Sequence, residues 1–290
     1  MTQKPINEII DTFICDDVLN GLKLIPDESI SLICTSPPYN CGIKYGNRND
    51  NEPWDHYILW LKNIMIECQR VLRNGGRLVI NIDSIVNHEE DNGKGEQKDQ
   101  CEYFRPIYAD LVNAGREIGL NFRCDICWFK HQVVGRATAW GSYMSCSNPI
   151  IRRNHEYLLV WSKGSWMLPG DSEQSDMTDE EFQTYTMSFW HINPDRRESG
   201  HPAPFPKELV SRCIKLFSYR GDIILDPFMG SGTTAYIAKK IGRHFIGIDN
   251  DKKWVDYAKN RLASNADVFD VSETYVPRSQ RIKAKTLGKE

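Results

Sequence analysis

An apolar strand, a tight turn and the start of a helix follow one another in residues 223–234, which read Ile-Ile-Leu-Asp-Pro-Phe-Met-Gly-Ser-Gly-Thr-Thr. The glycines at positions 230 and 232 let the backbone turn sharply and come close to a ligand, because glycine has no Cβ. A strand that runs directly into such a turn and a helix is typical of an α/β fold with a parallel sheet.

Three kinds of ligand suit a glycine-rich turn of this type, and the neighbouring residues separate them. A phosphate-binding P-loop needs a lysine after its last glycine, but Thr233 follows Gly232. The nicotinamide pattern needs a third glycine at position 235, where this chain has Ala235, and Asp226-Pro227 before the turn fits that pattern poorly. A nucleoside without a pyrophosphate remains.

Asp249 closes the next apolar run, Phe245 to Ile248, and is predicted to stand at the carboxyl edge of the sheet. A carboxylate in that place can accept hydrogen bonds from both ribose hydroxyls of a nucleoside. The alternative is that Asp249 caps the helix that begins near Lys252. The two roles are compatible.

The rest of the chain alternates between strand-like and helix-like segments, which predicts a doubly wound, mostly parallel sheet. Helical periodicity or helix signals occur in residues 57–72, 105–118, 207–217, 233–241 and 252–262. Apolar strand-like runs occur in residues 30–34, 77–82, 122–128, 155–161, 222–225 and 245–248. Residues 84–100 are predicted to form a polar loop, and residues 165–200 an insertion with weak periodicity.

Length and composition limit the protein class. A chain of 290 residues with 40% hydrophobic residues can form one large α/β domain with a modest insertion. No membrane span or secretory signal is evident, so we expect a cytoplasmic protein. The nine cysteines are an odd number and lie mostly in apolar stretches, as reduced cysteines do. Cys124 and Cys127 have no second ligand pair, so we expect no metal.

The net charge of −3 implies that any nucleic-acid contact is local. Basic residues are in excess between positions 121 and 165, where six Lys or Arg face two carboxylates, and again between positions 278 and 290, where five face one. Each excess is either a phosphate-contacting surface or an ordinary solvated one.

Ser36-Pro37-Pro38-Tyr39 follows the strand-like run at residues 30–34, where open α/β sheets place their sites. The two prolines fix φ and hold the Pro37 carbonyl in a set direction. The Ser36 hydroxyl and this carbonyl are two acceptors that can bind the two N–H groups of an aromatic amine, whose nitrogen lone pair is otherwise delocalised into the ring. Tyr39 would stack on a base swung out of a duplex. The alternative is an ordinary Pro-Pro turn.

Three motifs together resemble the bacterial DNA amino-methyltransferases of restriction-modification systems. They are Thr35-Ser36-Pro37-Pro38-Tyr39, His201-Pro202-Ala203-Pro204-Phe205-Pro206 and Asp226-Pro227-Phe228-Met229-Gly230-Ser231-Gly232-Thr233-Thr234. The catalytic motif precedes the cofactor motif, which is similar to the permuted beta-class order. The resemblance covers residues 14–262.

This resemblance implies a seven-stranded sheet of the Rossmann-like methyltransferase type and S-adenosylmethionine as the methyl donor. It assigns the catalytic role to Ser36, Pro37, Pro38 and Tyr39. It assigns cofactor binding to Asp16, Asp226, Pro227, Phe228, Gly230, Ser231, Gly232, Thr233 and Asp249, with a doubt between Asp16 and Asp17. Residues 1–165 and 201–265 would form the catalytic domain, residues 166–200 a target-recognition insertion, and residues 266–290 a basic tail.

The substrate implied by the resemblance is double-stranded DNA. The predicted DNA contacts are Lys130, Arg136, Ser142, Ser145, Asn148, Arg152 and Arg153, although the basic residues suit surface ion pairs and the polar ones a capped turn equally well. A leading serine, Ser36, is typical of cytosine-N4 enzymes and favours cytosine over adenine N6 as the methylated base. A catalytically silent DNA-binding relative and an RNA substrate also remain open. A separate cognate endonuclease and a homodimer are both compatible with the sequence.

Overall fold

The computed structural model describes residues 2–43, 50–87, 104–130, 144–149, 151, 153–195, 205–264 and 276–287. Three of the predicted DNA contacts, Arg136, Ser142 and Arg152, lie outside these residues. The same is true of residues 201–204 in the second of the three motifs.

Ten strands form in the described part of the chain, and eight of them make one sheet. The strands are β1 (Thr12–Cys15), β2 (Ile30–Thr35), β3 (Leu72–Ile82), β4 (Val86–Asn87), β5 (Phe104–Arg105), β6 (Asn121–Phe129), β7 (His155–Ser162), β8 (Phe189–His191), β9 (Ile223–Asp226) and β10 (His244–Asp249). The sheet order is β1-β10-β9-β2-β3-β7-β6-β8, and β4 pairs with β5 apart from it.

The two halves of the sheet differ in strand direction. The five strands from β1 to β3 in the sheet order are all parallel to one another. β7 is antiparallel to both β3 and β6, and β8 is parallel to β6. The first residues of β7 therefore lie at the edge of the sheet where the parallel strands end.

Helices cover both faces of this sheet. The described helices are α1 (Ile6–Ile9), α2 (Val18–Leu24), α3 (Trp54–Val71), α4 (Ile107–Glu117), α5 (Asp179–Tyr185), α6 (Lys207–Phe217), α7 (Thr233–Lys240), α8 (Lys252–Ala263) and α9 (Arg278–Leu287). α2, α3 and α4 pack together on one face, and α6, α7 and α8 on the other. None of the helices described is long and apolar enough to cross a membrane.

The central strand β2 shows how the sequence produces this two-sided core. All six of its residues are buried, so buried and exposed positions do not alternate along it. Ile33 belongs to the core cluster under α3, whereas Leu32 and Cys34 belong to the cluster under α6. Successive side chains of a strand point to opposite faces, so a continuous apolar run suits a strand covered on both sides.

The prediction of a doubly wound, mostly parallel sheet is confirmed, but the predicted seven strands are eight. The sequence patterns missed β1 and β8. β8 has only three residues, of which the outer two are exposed, so it is too short to show a pattern. Its pairing with β6 comes from the tertiary structure.

The described part of the predicted insertion packs closely on the sheet. It contributes β8 to the sheet edge, and α5 packs on α6, where Lys215 pairs with Glu181 at 2.5 Å. The basic tail forms helix α9, whose Lys285 pairs with Asp179 at 2.5 Å. The backbone N–H of Ser279 donates to Glu173 at 3.0 Å. The described tail thus lies against an acidic segment, and its phosphate-binding role stays a prediction.

Candidate active site

The carboxyl ends of four adjacent parallel strands carry the predicted site residues. Asp16 directly follows β1, Asp249 ends β10, Asp226 ends β9 and Ser36 follows β2. The chain leaves β2 toward β3 but leaves β9 toward β10, so the strand order reverses between β2 and β9. Open α/β sheets bind ligands at such a reversal, in the crevice beyond the strand ends.

Asp226 ties the catalytic motif to the glycine-rich turn. Its Oδ1 accepts hydrogen bonds from the Thr35 hydroxyl at 2.6 Å and the Phe228 N–H at 3.1 Å. Its Oδ2 accepts from the Thr234 hydroxyl at 2.6 Å. Burial raises the pKa of Asp226 to about 6, although the three donors oppose that rise. Asp226 therefore holds the two motifs in fixed relation across β2 and β9.

Asp249 organises the same turn from the next strand. Its Oδ2 accepts from the Gly230 N–H and its Oδ1 from the Asp251 N–H, both at 2.9 Å. Burial raises the pKa of Asp249, and these two N–H donors partly offset the effect. The alternative role as a helix cap is wrong, because Asp251 caps α8 by accepting from the Lys253 N–H. An ionised carboxylate has about four acceptor positions, so ribose hydroxyls can still be bound.

The hydrogen bonds of Asp16 and Asp17 indicate which of the two carboxylates faces the cofactor. Asp17 is exposed and caps α2 by accepting from the Leu19 N–H at 2.9 Å. Asp16 is half-buried, and its backbone N–H donates to the Asp249 carbonyl at 3.2 Å. Asp16 thus lies directly beside Asp249 at the edge of the sheet, which favours it as the residue facing the cofactor.

The glycine-rich turn itself is strongly constrained. Gly230 and Gly232 have φ angles of 48° and 74°, which favour glycine over residues with a Cβ. A Cβ on Gly232 would lie 2.6 Å from the Cβ of Ala258 in α8. Gly232 is therefore required for the packing of α7 against α8, in addition to the turn predicted from the sequence.

The other predicted cofactor residues line or support this turn. Pro227, Ser231 and Thr233 are buried, and Thr233 accepts a hydrogen bond from Arg261 at 3.2 Å. Phe228 is half-buried and its ring lies 5.6 Å from that of Trp60. Of these residues, Phe228 is the one that is not fully buried.

The carboxylates beside the glycine-rich turn suit a positively charged nucleoside. Asp16 and Asp249 put carboxylates at the mouth of the turn, and these would repel a pyrophosphate but attract a cation. S-adenosylmethionine carries a sulfonium and an ammonium group on a nucleoside. Asp16 and Asp249 would hold its adenosine part, and the turn at residues 226–231 would hold its methionine part.

The Ser36–Tyr39 motif is fixed by bonds from other elements. Pro37 and Pro38 are buried, and the Pro38 carbonyl accepts from the Tyr57 hydroxyl of α3 at 2.7 Å. Beyond the motif, Asp50 accepts the backbone N–H groups of residues 40, 41 and 43 at 2.9–3.1 Å. The Pro-Pro turn is therefore anchored on both sides, as a positioning device requires.

Tyr39 points its hydroxyl into a polar cluster on the antiparallel half of the sheet. Its Oη lies 3.2 Å from Ser36 Oγ and 3.2 Å from Glu156 Oε2. Asn81 Nδ2 donates to the same Glu156 oxygen at 2.9 Å. The Lys130 ammonium pairs with the other oxygen, Oε1. The predicted stacking of Tyr39 on a base stays a prediction.

The described members of the predicted DNA-contacting set take part in local interactions. Besides its pair with Glu156, Lys130 lies over the Trp128 ring at 4.6 Å. Arg153 faces Asp83 at 3.6 Å. Ser145 accepts from the Ser147 N–H at 3.2 Å, and Asn148 is exposed nearby. Their roles toward DNA stay predictions.

The site includes residues that the sequence patterns did not select: Thr35, Thr234, Tyr57, Asn81 and Glu156. Thr35 and Thr234 lie inside the quoted motifs, and a signal was available because Thr35 ends β2, Thr234 stands in the first turn of α7, and each has a hydroxyl to donate. Glu156 carried only a weak signal, a charged residue at the start of an apolar strand. Its position at the site depends on β7 running antiparallel to β3.

Comparisons with known proteins agree with this arrangement. A family model described as DNA methylase matches residues 30–260. The chain is 38% identical over 179 residues to the Type II methyltransferase M.MjaVI of Methanocaldococcus jannaschii, covering 62% of this chain and 84% of that protein. It is 29% identical over 265 residues to the DNA adenine methyltransferase YhdJ of Escherichia coli K12, covering 87% and 82%.

A solved structure extends the agreement to the fold. TTHA0409 of Thermus thermophilus, crystallised with S-adenosyl-L-methionine, has a TM-score of 0.69 and 27% identity, covering 90% of this chain and 95% of that one. The cofactor of this chain is S-adenosylmethionine, as the resemblance implied. The family model spans most of the sequence, and the chain belongs to the DNA methylase family of DNA methyltransferases.

Proposed function

We propose that the chain transfers a methyl group from S-adenosylmethionine to the N4 amino group of a flipped-out cytosine in double-stranded DNA. The observation that carries the proposal is the Ser36 hydroxyl at the end of β2, joined through Thr35 and Asp226 to the glycine-rich turn. This bond holds Thr35, and with it the neighbouring Ser36, beside the glycine-rich turn, which supports Ser36 as a hydrogen-bond acceptor for the base.

The chain's own groups supply positioning and electrostatics. When bound, S-adenosylmethionine supplies an electrophilic methyl group on a positively charged sulfur. The Ser36 hydroxyl and the Pro37 carbonyl accept the two N–H bonds of the amine and turn its lone pair toward that methyl. Side chains cannot reach the amino group of a base that is still stacked inside the duplex. Tyr39 therefore stacks on the base after the base has left the duplex. Positioning of this kind lowers the barrier to direct transfer.

The choice of base rests on Ser36. A leading serine in the catalytic motif is typical of cytosine-N4 enzymes and supports cytosine. The DNA adenine methyltransferase YhdJ is 29% identical to this chain, which keeps adenine N6 as the second candidate. Either base presents the same exocyclic amine to Ser36 and Pro37, so both candidates use the same site.

The experiment is nucleoside analysis of methylated DNA. Unmethylated genomic DNA is incubated with the protein and isotope-labelled methyl donor, digested, and analysed by mass spectrometry, with Ser36→Ala as the matched inactive control. We expect labelled N4-methylcytosine. N6-methyladenine alone would reject cytosine in favour of the second candidate. No label on any DNA, with the donor still bound, would indicate a silent DNA-binding relative, and competition by RNA would reveal an RNA substrate.

For the DNA itself we propose contacts from the basic segment around Lys130 and Arg153, with Ser145 and Asn148 beside the cleft. We propose that residues 166–200 contribute to target recognition. Sequencing the methylated positions in a cell that expresses the chain identifies the target. Replacement of Lys130 or Arg153 tests the proposed DNA contacts, and substitutions within residues 166–200 test whether that segment selects the methylated sequence. A separate cognate endonuclease would cut the same sequence, and the oligomeric state follows from analytical ultracentrifugation.

A further inference from the structure

A short chain of hydroxyl groups connects the substrate side of Ser36 to the carboxylate of Glu156. Ser36 Oγ and Tyr39 Oη are 3.2 Å apart, and Tyr39 Oη is 3.2 Å from Glu156 Oε2. Glu156 is the second residue of β7, which brings it to the edge where β2 ends because β7 runs antiparallel to β3. This chain of hydroxyl groups therefore runs from the parallel half of the sheet to the antiparallel half.

The groups around Glu156 use it as a hydrogen-bond acceptor. Asn81 Nδ2 donates to Oε2 at 2.9 Å, and the Lys130 ammonium faces Oε1. An ionised carboxylate has acceptors only. The Tyr39 hydroxyl therefore has to donate toward it, or toward the Asn81 carbonyl at 3.3 Å. A hydrogen bond to a charged acceptor is about twice as strong as a neutral one, which favours Glu156.

The direction of the Tyr39–Glu156 hydrogen bond also determines the direction of the bond between Ser36 and Tyr39. The single Tyr39 hydrogen points to Glu156, so the bond between Ser36 and Tyr39 must use the Ser36 hydrogen, with Tyr39 Oη as the acceptor. The lone pairs of Ser36 Oγ are then left for an incoming N–H. We propose that Glu156 is a positioning residue for methyl transfer, which acts through Tyr39 to present Ser36 to the substrate amine as a hydrogen-bond acceptor. This proposal rests on the proposed role of Ser36 and holds for either base.

The same chain provides a path for the proton that the reaction releases. As the N–C bond forms, the C–S bond breaks with its electron pair remaining on sulfur, and the amine nitrogen becomes positive. The nitrogen gives a proton to Ser36 Oγ, Ser36 gives its own to Tyr39 Oη, and Tyr39 gives its own to Glu156 Oε2. The sulfonium ends as a neutral thioether and the carboxylate as a carboxylic acid, so charge is conserved.

Glu156 can return that proton to solvent between turnovers. Its side chain is 14% exposed, whereas the neighbouring backbone of β3 is buried. The hydroxyls of Ser36 and Tyr39 thus keep fixed hydrogen-bond directions, and the partly exposed Glu156 gives the proton access to water.

A double-mutant cycle tests the proposal. Single-turnover methyl transfer is measured for Tyr39→Phe, Glu156→Gln and the double variant, at saturating donor and DNA. We expect each single variant to be roughly ten- to hundredfold slower, the value of one hydrogen bond to a charged group. Because the two groups act as one unit, the double variant should be no slower than the slower single variant. Donor affinity and KM for DNA should change less than about threefold.

A matched variant separates this role from general structural damage. Glu117→Gln breaks an exposed Glu–Lys pair outside the site, so it should keep the wild-type rate. Thermal unfolding without donor gives a second readout, in which Tyr39→Phe and Glu156→Gln should also be non-additive.

The outcomes are distinct. Multiplicative losses in the double variant, or a Glu156→Gln rate equal to wild type, would overturn the proposal for Glu156. If Ser36→Ala also transfers methyl groups at the wild-type rate, the proposed function of the site fails with it. If Ser36→Ala is slow and Glu156→Gln is not, only the inference about Glu156 fails.

Discussion

The two halves of the sheet build their parts of the site in different ways. On the parallel half, each functional group comes from a short continuous stretch at the end of β1, β2, β9 or β10. At the antiparallel half, the cluster around Glu156 joins four separate places in the chain, namely residues 36 and 39 after β2, residue 81 in β3, residue 130 after β6 and residue 156 in β7. The cofactor side is therefore encoded locally, and the substrate side depends on strand pairing.

The largest expected effect lies at the boundary between the halves. Ser36→Ala removes the proposed acceptor for the substrate amine, so we expect methyl transfer at saturating donor to fall on the order of 10²–10³-fold. Donor affinity, measured by calorimetry, should stay within about twofold. Ser29→Ala, which removes a hydroxyl bonded to the Pro26 carbonyl outside the site, is the control. Equal losses of rate and donor affinity would contradict a role confined to the base.

Asp249 tests the parallel half alone. Asp249→Ala should weaken donor binding roughly ten- to hundredfold, because it removes charged acceptors for the ribose hydroxyls and the anchor of Gly230. Asp251→Ala is the matched control. It removes the cap of α8, which we expect to lower the free energy of unfolding by about 1 kcal/mol with little change in donor affinity. Unchanged donor affinity in Asp249→Ala would remove Asp249 from the cofactor site.

The smallest expected effect is a pH dependence of stability from Asp226. Its pKa in the folded chain, about 6, lies above its ordinary value of 3.8. The folded state therefore holds the proton more tightly, and this contribution to stability is full below about pH 4 and is lost as the pH rises through about 6. Asp226→Asn cannot titrate. Its unfolding free energy relative to wild type should rise by on the order of 1–3 kcal/mol between pH 4 and pH 7, measured by urea denaturation.

Asp27→Asn provides the opposite sign as a control. The pKa of the exposed Asp27 is lowered by its hydrogen bond from Arg70, so its contribution to stability is present above its ordinary pKa and is lost as the pH falls. The unfolding free energy of this variant relative to wild type should therefore decrease as the pH rises. A flat difference for Asp226→Asn would show that Asp226 does not titrate in the folded state as described.

Sequence patterns predicted most of the regular elements but missed the short ones. The predicted strands at residues 30–34, 155–161 and 245–248 correspond to β2, β7 and β10, and the predicted helix at 207–217 corresponds to α6. These elements carry continuous apolar runs or a full helical period, which local energetics specify. β1 and β8 have only four and three residues, too few to show a sequence pattern, so only their pairing partners make them strands.

The sequence alone determined three local units of the site, each at the end of a strand. They are Ser36-Pro37-Pro38-Tyr39, the glycine-rich turn and Asp249. Each is a local unit of strand, turn and helix, whose backbone conformation its own prolines and glycines specify. The tertiary structure decided that Thr35 meets Asp226 across β2 and β9, and that Glu156 meets Tyr39. These contacts join residues 191 and 117 positions apart. No local pattern specifies such pairs, because they depend on the order and direction in which the strands pair.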